Sequence, residues 1–412
     1  MSMRKVLVLA GGYDQIELIR ELKKRGYSVL LADYLDNPPA KEAADIFYQV
    51  STLDEEKICE IAEREKVDFV ITACTDQALL TAASVSEKLK LPFYLSREQT
   101  RNVTDKFYMK QKFKQNRISS AEYEIFESRI DRDDTSRFKK FPYIVKPCDC
   151  NSSKGVRKVD NEQDLLAALQ DAIQLSRTHK AVMEKYLEGM EISIDAWICK
   201  GVPEILSITE TRKMNHDIGR FTIYQSRYPV EISDGIYKQI EKNTDRICRG
   251  FELKEGPLLV QAIIEKNEVY ILEFSARMGG GSKYKLIEYI SGINIMEKYV
   301  DFVITGKNTK AIPQRSDKQI EVDYIYANNG VVKEITGVEP LKQNGTISEA
   351  FIYKKNGSEI TQHVVSGDRV LGVLLEADTI EELENKRTAM LQDCRVIDGT
   401  GADILYRECF AE

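Results

Sequence analysis

Two apolar runs, Leu258 to Ile264 and Val269 to Phe274, flank the polar turn Glu265 to Glu268. Each carries one residue foreign to an apolar strand: Gln261 in the first and Glu273 in the second. If the turn is centred on Asn267, both lie six residues from the centre and stand opposite one another across a hairpin. The strand period of two then sets Glu273, Ser275 and Arg277 on one face. A carboxylate, an amide oxygen, a hydroxyl and a guanidinium thus collect at one strand end. Gly279-Gly280-Gly281 follows, where a ligand can approach the backbone closely. Hard oxygen donors of this kind suit Mg²⁺, which takes one or two carboxylates and completes its shell with substrate phosphates. A solvated hairpin face is the plain alternative, weakened by the single polar residue inside each apolar strand.

Two further stretches have a similar character. In Val182 to Trp197, Glu191, Ser193 and Asp195 share one face while Ile192, Ile194 and Ala196 share the other, the pattern of a half-buried strand. The link ahead of it, Glu184-Lys185-Tyr186-Leu187, mixes backbone donors and acceptors with apolar side chains, where a purine could dock edge-on. Lys146 to Val159 follows the apolar run Tyr143-Ile144-Val145 and packs Ser152, Ser153, Lys154 and Gly155 into a short turn before the valines return. Such a loop is either a surface hairpin or a cradle of N–H groups for an anion, with Lys146 or Lys154 supplying charge. It is not a Walker A loop, since nothing matches Gly-x-x-x-x-Gly-Lys-Ser/Thr.

The elements that must position these groups are legible as patterns. The first ninety residues alternate strand and helix: strands at Val6 to Leu9, Ser28 to Ala32 and Phe69 to Ala73, helices at Ile16 to Arg25, Asp54 to Glu65 and Ala78 to Lys88. That alternation predicts a parallel sheet with helices on its faces. Asp33 ends the second strand as an acid does in a dinucleotide fold, but Gly11-Gly12-Tyr13-Asp14 lacks the Gly-x-Gly-x-x-Gly turn, which weakens an NAD site. From Leu95 to about Pro313 the pattern changes to strand pairs between helices. Lys307 to Lys318, polar and containing Pro313, reads as a linker. Beyond it come Gln319 to Tyr326, the turn Asn328-Asn329-Gly330, the strand Val331 to Ile335, and a helix opened by the capping box Thr379-x-x-Glu382.

Composition narrows the functional classes. A chain of 412 residues, 42% apolar and 30% charged, describes a globular protein of two to four domains. The net charge of −7 argues against general affinity for nucleic acid. Three histidines leave little for a His-based metal centre or a triad, and eight scattered cysteines read as reduced thiols. The opening apolar run is too short for a signal segment and no stretch reaches the roughly 18 apolar residues of a membrane span, so the expected location is the cytoplasm, away from the membrane.

Taken in order, the motifs resemble the ATP-grasp superfamily. The matching pieces are Asp105-Lys106, Lys146-Pro147 with Ser152-Ser153-Lys154-Gly155-Val156, Glu184 with Glu191, and Gln261 with Glu273-Phe274-Ser275-Ala276-Arg277. The resemblance implies an α/β and α+β multidomain fold: an N-terminal parallel βα domain over 1–95, the ATP-grasp core over 96–315 with a nucleotide lid at about 105–185, and a small C-terminal α+β domain over 316–412. It implies ATP and Mg²⁺, with Mn²⁺ as a substitute. Lys106 and Lys146 would hold the α/β phosphates, and the loop with Ser152, Ser153, Lys154 and Gly155 would cover the β/γ phosphates. Glu184 with Lys185, Tyr186 and Leu187 would read adenine, and Glu191 would bind the ribose hydroxyls. Gln261, Glu273 and Ser275 would stand at the metal, although many members carry Asn where this chain has Ser275. Arg277 and Lys146 would act in catalysis.

The resemblance further implies an ADP-forming ligase that joins a carboxylate to an amine through an acyl phosphate. Arg277 followed by Gly279, Gly280 and Gly281 resembles the L-amino-acid ligase branch, in which these glycines border a substrate pocket. In that branch the segment Thr209 to Tyr228, with Arg212, Lys213 and Arg220, would be a substrate-side loop; ordinary solvated charges read equally well there. A carbamoyl-phosphate-synthase-like or purine-pathway enzyme is the alternative chemistry, and a non-catalytic ATP-binding regulator the alternative class. Partners would be small carboxylates and amines. The resemblance allows a homodimer through the N-terminal domain, for which no residue pattern speaks.

Overall fold

The computed structural model describes residues 4–127, 130–150, 153–214, 221–361 and 365–410. The chain begins with β1 (Lys5–Leu9), α1 (Asp14–Lys24), β2 (Ser28–Asp33), β3 (Ile46–Gln49), α2 (Glu55–Glu65), β4 (Phe69–Ile71) and α3 (Asp76–Leu89). These strands form a parallel sheet in the order β3-β2-β1-β4. Strands β1, β2 and β4 are buried on both faces and therefore read as continuous apolar runs. Edge strand β3 was not legible, because its four residues are exposed or half-buried and show no such run. Asp54 caps α2, accepting from the Lys57 N–H, and Lys66 ends that helix in the left-handed region.

Next come α4 (Arg97–Thr104), α5 (Lys106–Gln115), β5 (Tyr123–Glu127), α6 (Arg132–Thr135), β6 (Tyr143–Pro147), β7 (Arg157–Val159), α7 (Glu162–Leu175) and β8 (Lys180–Lys185). Here the strands form an antiparallel sheet, β5-β8-β6-β7, with α7 packed on it. The following segment supplies β9 (Met190–Cys199), β10 (Val202–Lys213), β11 (Ile223–Tyr228), α8 (Asp234–Gly250), β12 (Glu255–Glu265), β13 (Glu268–Ser275), α9 (Lys283–Ser291) and α10 (Ile295–Thr305). The last is β14 (Gln319–Ala327), β15 (Gly330–Thr336), α11 (Val338–Gln343), β16 (Glu349–Ile352), β17 (Glu359–Ile360), β18 (Leu371–Ala377), α12 (Ile380–Asp393), β19 (Arg395–Asp398) and β20 (Leu405–Tyr406).

One large sheet joins these last two segments, in the order β13-β12-β9-β10-β11-β14-β18-β16, with β20 beside β14. The chain beyond Lys318 therefore does not stand apart: β14 pairs with β11 and brings β18 and β16 into the same sheet. In this last segment, among the described residues, only β17-β15-β19 forms a small sheet of its own. The expected capping box at α12 is present in altered form, with Thr379 accepting from the Glu382 N–H while the Glu382 side chain accepts from the N–H of Asp378. One apolar cluster ties the N-terminal sheet to the centre, running from Val6, Val29 and Ile71 to Trp197, Ile287 and Tyr299. Among the described residues no helix is long and apolar enough to cross a membrane.

Candidate active site

The β12–β13 hairpin pairs Gln261 with Glu273, as expected, although for a different reason. The turn is centred between Lys266 and Asn267, both at positive φ, and closes on Glu265 opposite Glu268. That centre alone would misalign Gln261 and Glu273 by one residue. A bulge restores the pairing by leaving Leu272 without a counterpart. The freed Leu272 carbonyl accepts from Lys110 Nζ at 3.1 Å.

Four lysines converge around three carboxylates, Glu273, Glu184 and Glu191. Lys106 opens α5 behind the cap Asp105, and its Nζ lies 3.1 Å from Glu273 and 2.9 Å from the Cys150 carbonyl. Lys110, one helical turn on, is fully buried and ion-pairs with one oxygen of Glu184, while Lys146 on β6 ion-pairs with the other. Burial alone would raise the Glu184 carboxyl, but the two lysines outweigh it and hold it down at about 2. Glu273 behaves likewise: burial opposes its charge, Lys106 and Lys146 prevail, and its carboxyl is also held at about 2. Lys213 ion-pairs with Glu191 through one oxygen, and among the described residues Glu191 Oε1 is buried without a hydrogen-bond partner.

The stretch after β6 is both a hairpin and a wall of this site. Strands β6 and β7 pair from Tyr143 opposite Val159 to Val145 opposite Arg157, and Cys150, Ser153 and Lys154 between them line the same cavity as Glu184 and Glu273. Its base is pinned by Asp149, which accepts from the N–H and Nε of Arg177, both at 3.1 Å. Ser153 Oγ donates to the Phe221 carbonyl at 3.2 Å, and Val156 N–H closes a turn on Ser153. Gly155 sits at φ +75° against Leu175 and Pro147. Ser152 lies outside the described residues.

Between this loop, β8 and the large sheet is a cavity of about 590 Å³. Lys106, Lys146, Ser153, Lys154, Lys185, Tyr186, Leu187 and Arg212 line it, together with Glu184, Glu191, Gln261 and Glu273. Lys213 also lines it, and Lys158 stands with its Nζ 4.6 Å from the Tyr186 ring centre. Arg212 is paired with Glu210 at 3.2 Å, and Arg220 lies outside the described residues. The N–H groups of Lys185 and Tyr186 are engaged by the carbonyls of Glu122 and Pro142. Glu184 is too deeply held by its lysines to offer much edge of its own.

The remaining expected residues are held by the N-terminal segment. Ser275 Oγ donates to Asp76, and Arg277 grips the same carboxylate through Nε at 2.8 Å, while Arg277 stays within electrostatic range of Glu273. Asp14 accepts from the N–H of Gly281 at 3.1 Å and of Ser282 at 2.8 Å. The glycine run Gly279-Gly280-Gly281 is thus held by the N-terminal domain. Sequence reasoning missed Lys110, Asp76 and Asp14. Lys110 had a signal, since it lies four residues after Lys106 on the same helix face. Asp76 and Asp14 had only their places at the starts of helices that follow parallel strands.

The donor set fits a magnesium ion bound together with phosphates. Gln261 and Glu273 offer one amide oxygen and one carboxylate side by side, and among the described residues no group of three or more His, Cys, Asp or Glu could cage a metal unaided. The surrounding lysines suit a polyphosphate, and the orphaned Glu191 oxygen suits a hydroxyl donor.

Comparison with known proteins agrees with this geometry. Residues 139–285 match the ATP-grasp domain family. The chain is 24% identical over 382 residues to the carbamoyl phosphate synthase large chain of Pseudothermotoga lettingae, covering 85% of this chain and 32% of that one. It therefore spans about a third of the length of that curated relative. The fold is similar to that of an L-amino acid ligase from Bacillus licheniformis, with TM-score 0.80, 19% identity, and 96% and 98% of the two chains covered. It is also similar to the biotin carboxylase domain of the Hydrogenobacter thermophilus 2-oxoglutarate carboxylase, a structure holding MgADP and bicarbonate, with TM-score 0.76, 15% identity, and 95% and 90% covered. The chain carries an ATP-grasp domain.

Proposed function

We propose that the protein is an ADP-forming ligase that joins a small carboxylate, such as an amino acid, to an amine. The observation that carries the reading is the Gln261–Glu273 pair beside Lys106 and Lys146 in one cavity of about 590 Å³. A carboxylate is a poor electrophile. Attack of its oxygen on the γ-phosphorus of ATP expels ADP and leaves an acyl phosphate. The amine nitrogen then attacks the acyl carbon, phosphate departs with the C–O electron pair, and the amine's proton passes to solvent or phosphate.

The chain's contribution is placement and charge. Lys106 and Lys146 would hold phosphate oxygens, and the 148–156 loop, with Ser153, Lys154 and Gly155, would cover them and keep water off the acyl phosphate. Leu187 and the carbonyls beside it would meet the base, and Glu191 Oε1 the ribose. Magnesium held by Gln261 and Glu273 would neutralise charge on the transferring phosphoryl group; Mn²⁺ suits the same donors. The eight unpaired cysteines suit a reducing, cytoplasmic setting. A homodimer through the N-terminal domain remains part of the proposal.

The similarity to carbamoyl phosphate synthase favours a second reading, in which bicarbonate is the acid phosphorylated. One experiment separates the two: ADP release from Mg-ATP against amino acids and small carboxylates, singly and in pairs, with Glu273→Gln and Lys146→Ala as controls. Turnover that requires a pair and disappears in both variants is the expected result. Turnover with bicarbonate alone would move the assignment to the second reading. ATP binding with no turnover across the panel would leave a regulator and sink the ligase.

A further inference from the structure

We propose that Arg369 is a substrate-oxyanion residue, taking a carboxylate or phosphate group of the non-nucleotide substrate over Gly281; only the identity of that substrate rests on the ligase reading. Arg277, the guanidinium singled out by the sequence, is already committed. Its Nε and Nη2 hold Asp76, and its Nη1 donates to the Met278 carbonyl at 2.7 Å.

Arg369, just ahead of β18, approaches the same glycine run from the C-terminal side. A Cβ on Gly281 would collide with its Nη1 and come within 3.0 Å of Tyr324. The guanidinium stacks on Tyr324, 3.8 Å from the ring centre, and its Nε donates to Tyr326 Oη at 3.3 Å. The phenols of Tyr326, Tyr324 and Tyr353 dominate its electrostatic surroundings, Asp14 and Lys283 lie within range, and among the described residues no carboxylate forms an ion pair with it. The nearby acid, Asp14, is turned onto the N–H groups of Gly281 and Ser282. The fold treats its other enclosed arginines differently: Arg387 has Glu321 at 2.7 Å, and Arg25 has Glu21 at 2.6 Å. A stacked guanidinium with no carboxylate in direct contact among the described residues is built to receive one, since its planar fork matches carboxylate and phosphate oxygens.

The loop beneath it is preorganised. Tyr324 Oη donates to the Gly281 carbonyl at 3.1 Å, and Tyr353 Oη lies 3.1 Å from Ser282 Oγ. This platform lies on the sheet face that also lines the cavity. Lys283 Nζ donates to Thr209 at 2.8 Å, and Thr209 lies two residues along β10, about 7 Å, from cavity-lining Thr211. Thr211 pairs with Ser226 and Ser226 with Val322, so Tyr324, two residues further along β14, shares that sheet face.

The test is phenylglyoxal modification of the full chain with Mg-ADP present, read peptide by peptide by mass spectrometry. Inorganic phosphate and acetate serve as separate protectants. Arg369 should be modified, Arg277 should be spared, and one protectant should slow Arg369 at least several-fold. Protection by phosphate points to a phosphorylated substrate, and protection by acetate to a carboxylate. An Arg369 that does not react, or that reacts equally with and without both anions, overturns the proposal. Where the ADP-release assay yields a substrate pair, Arg369→Lys should raise the KM of one non-nucleotide substrate about 10- to 100-fold and leave that of Mg-ATP unchanged. An unchanged KM for every substrate would also overturn it. Because the protection experiment needs no turnover, failure of the ligase reading and failure of this one are separable.

Discussion

Arg277 Nε lies 2.8 Å from one oxygen of Asp76 and its Nη2 2.5 Å from the other, across 201 residues of chain. Ser275 Oγ donates to the same carboxylate, so the end of β13 and the start of α3 are clasped by three donors on one acid. Both side chains of the ion pair are largely shielded from solvent. Removing Asp76 strands a mostly enclosed guanidinium, which costs about 3–5 kcal/mol when a buried pair is broken from one side. Asp76→Ala should therefore lower the urea midpoint clearly and reduce ADP release at least about tenfold. Asp76→Asn, which keeps the shape and one acceptor, should fall between. A midpoint equal to that of the wild type in Asp76→Ala would mean that the clasp holds nothing together.

Glu184 makes stability depend on acid. Its folded carboxyl is held at about 2 against an ordinary 4.5, despite the opposing effect of burial, because Lys110 and Lys146 favour the charged form. A depressed carboxylate contributes stability that is complete above the unfolded value and is lost as pH falls from about 4.5 towards 2. The urea midpoint should drop across that window, and Glu184→Gln should flatten the drop while lowering stability at neutral pH. An equally steep acid limb in Glu184→Gln would assign the effect to other groups.

Magnesium should bind weakly by itself and tightly with nucleotide. The protein offers Gln261 and Glu273 at the hairpin, and Lys106 lies 3.1 Å from that carboxylate. With so few protein oxygens and a cation alongside, most of the metal's shell must come from phosphates and water. Calorimetry should show at least about a hundredfold weaker binding of Mg²⁺ alone than with ADP, and EDTA should weaken ADP binding in wild type far more than in Glu273→Gln. Equal Mg²⁺ affinity with and without ADP would place the metal elsewhere.

The loop after β6 should be intolerant of a side chain at its glycine. At Gly155, φ is +75°, and a Cβ would lie 2.6 Å from Leu175 Cδ2 and 2.9 Å from Pro147 Cγ. Gly155→Ala should cost about 1–2 kcal/mol locally and raise the KM for ATP about tenfold, with the global unfolding midpoint little moved. An unchanged KM would show that the loop does not shape the nucleotide site.

What was legible in the sequence was local. Parallel strands buried on both faces are apolar runs, so β1, β2 and β4 could be read, whereas the exposed edge β3 could not. Face-sharing within one strand follows from period two, which is why Glu191 could be grouped with Ser193 and Asp195, and Glu273 with Ser275, before any fold was known. Even there the pairing of Gln261 with Glu273 needed a bulge at Leu272 that no propensity announces.

The sequence by itself determined which side chains share a face and where the apolar runs lie, because both depend on spacings of a few residues. The tertiary structure decided which charges meet. Lys110 reaches Glu184, Asp76 takes Arg277 and Ser275, and Asp14 anchors the glycine run only because separate sheets and helices pack together, with no periodicity to betray it. It also decided which arginine is occupied and which is not. Counter-ions are chosen by proximity in space, and at separations of 201 and 267 residues only the packed fold supplies it.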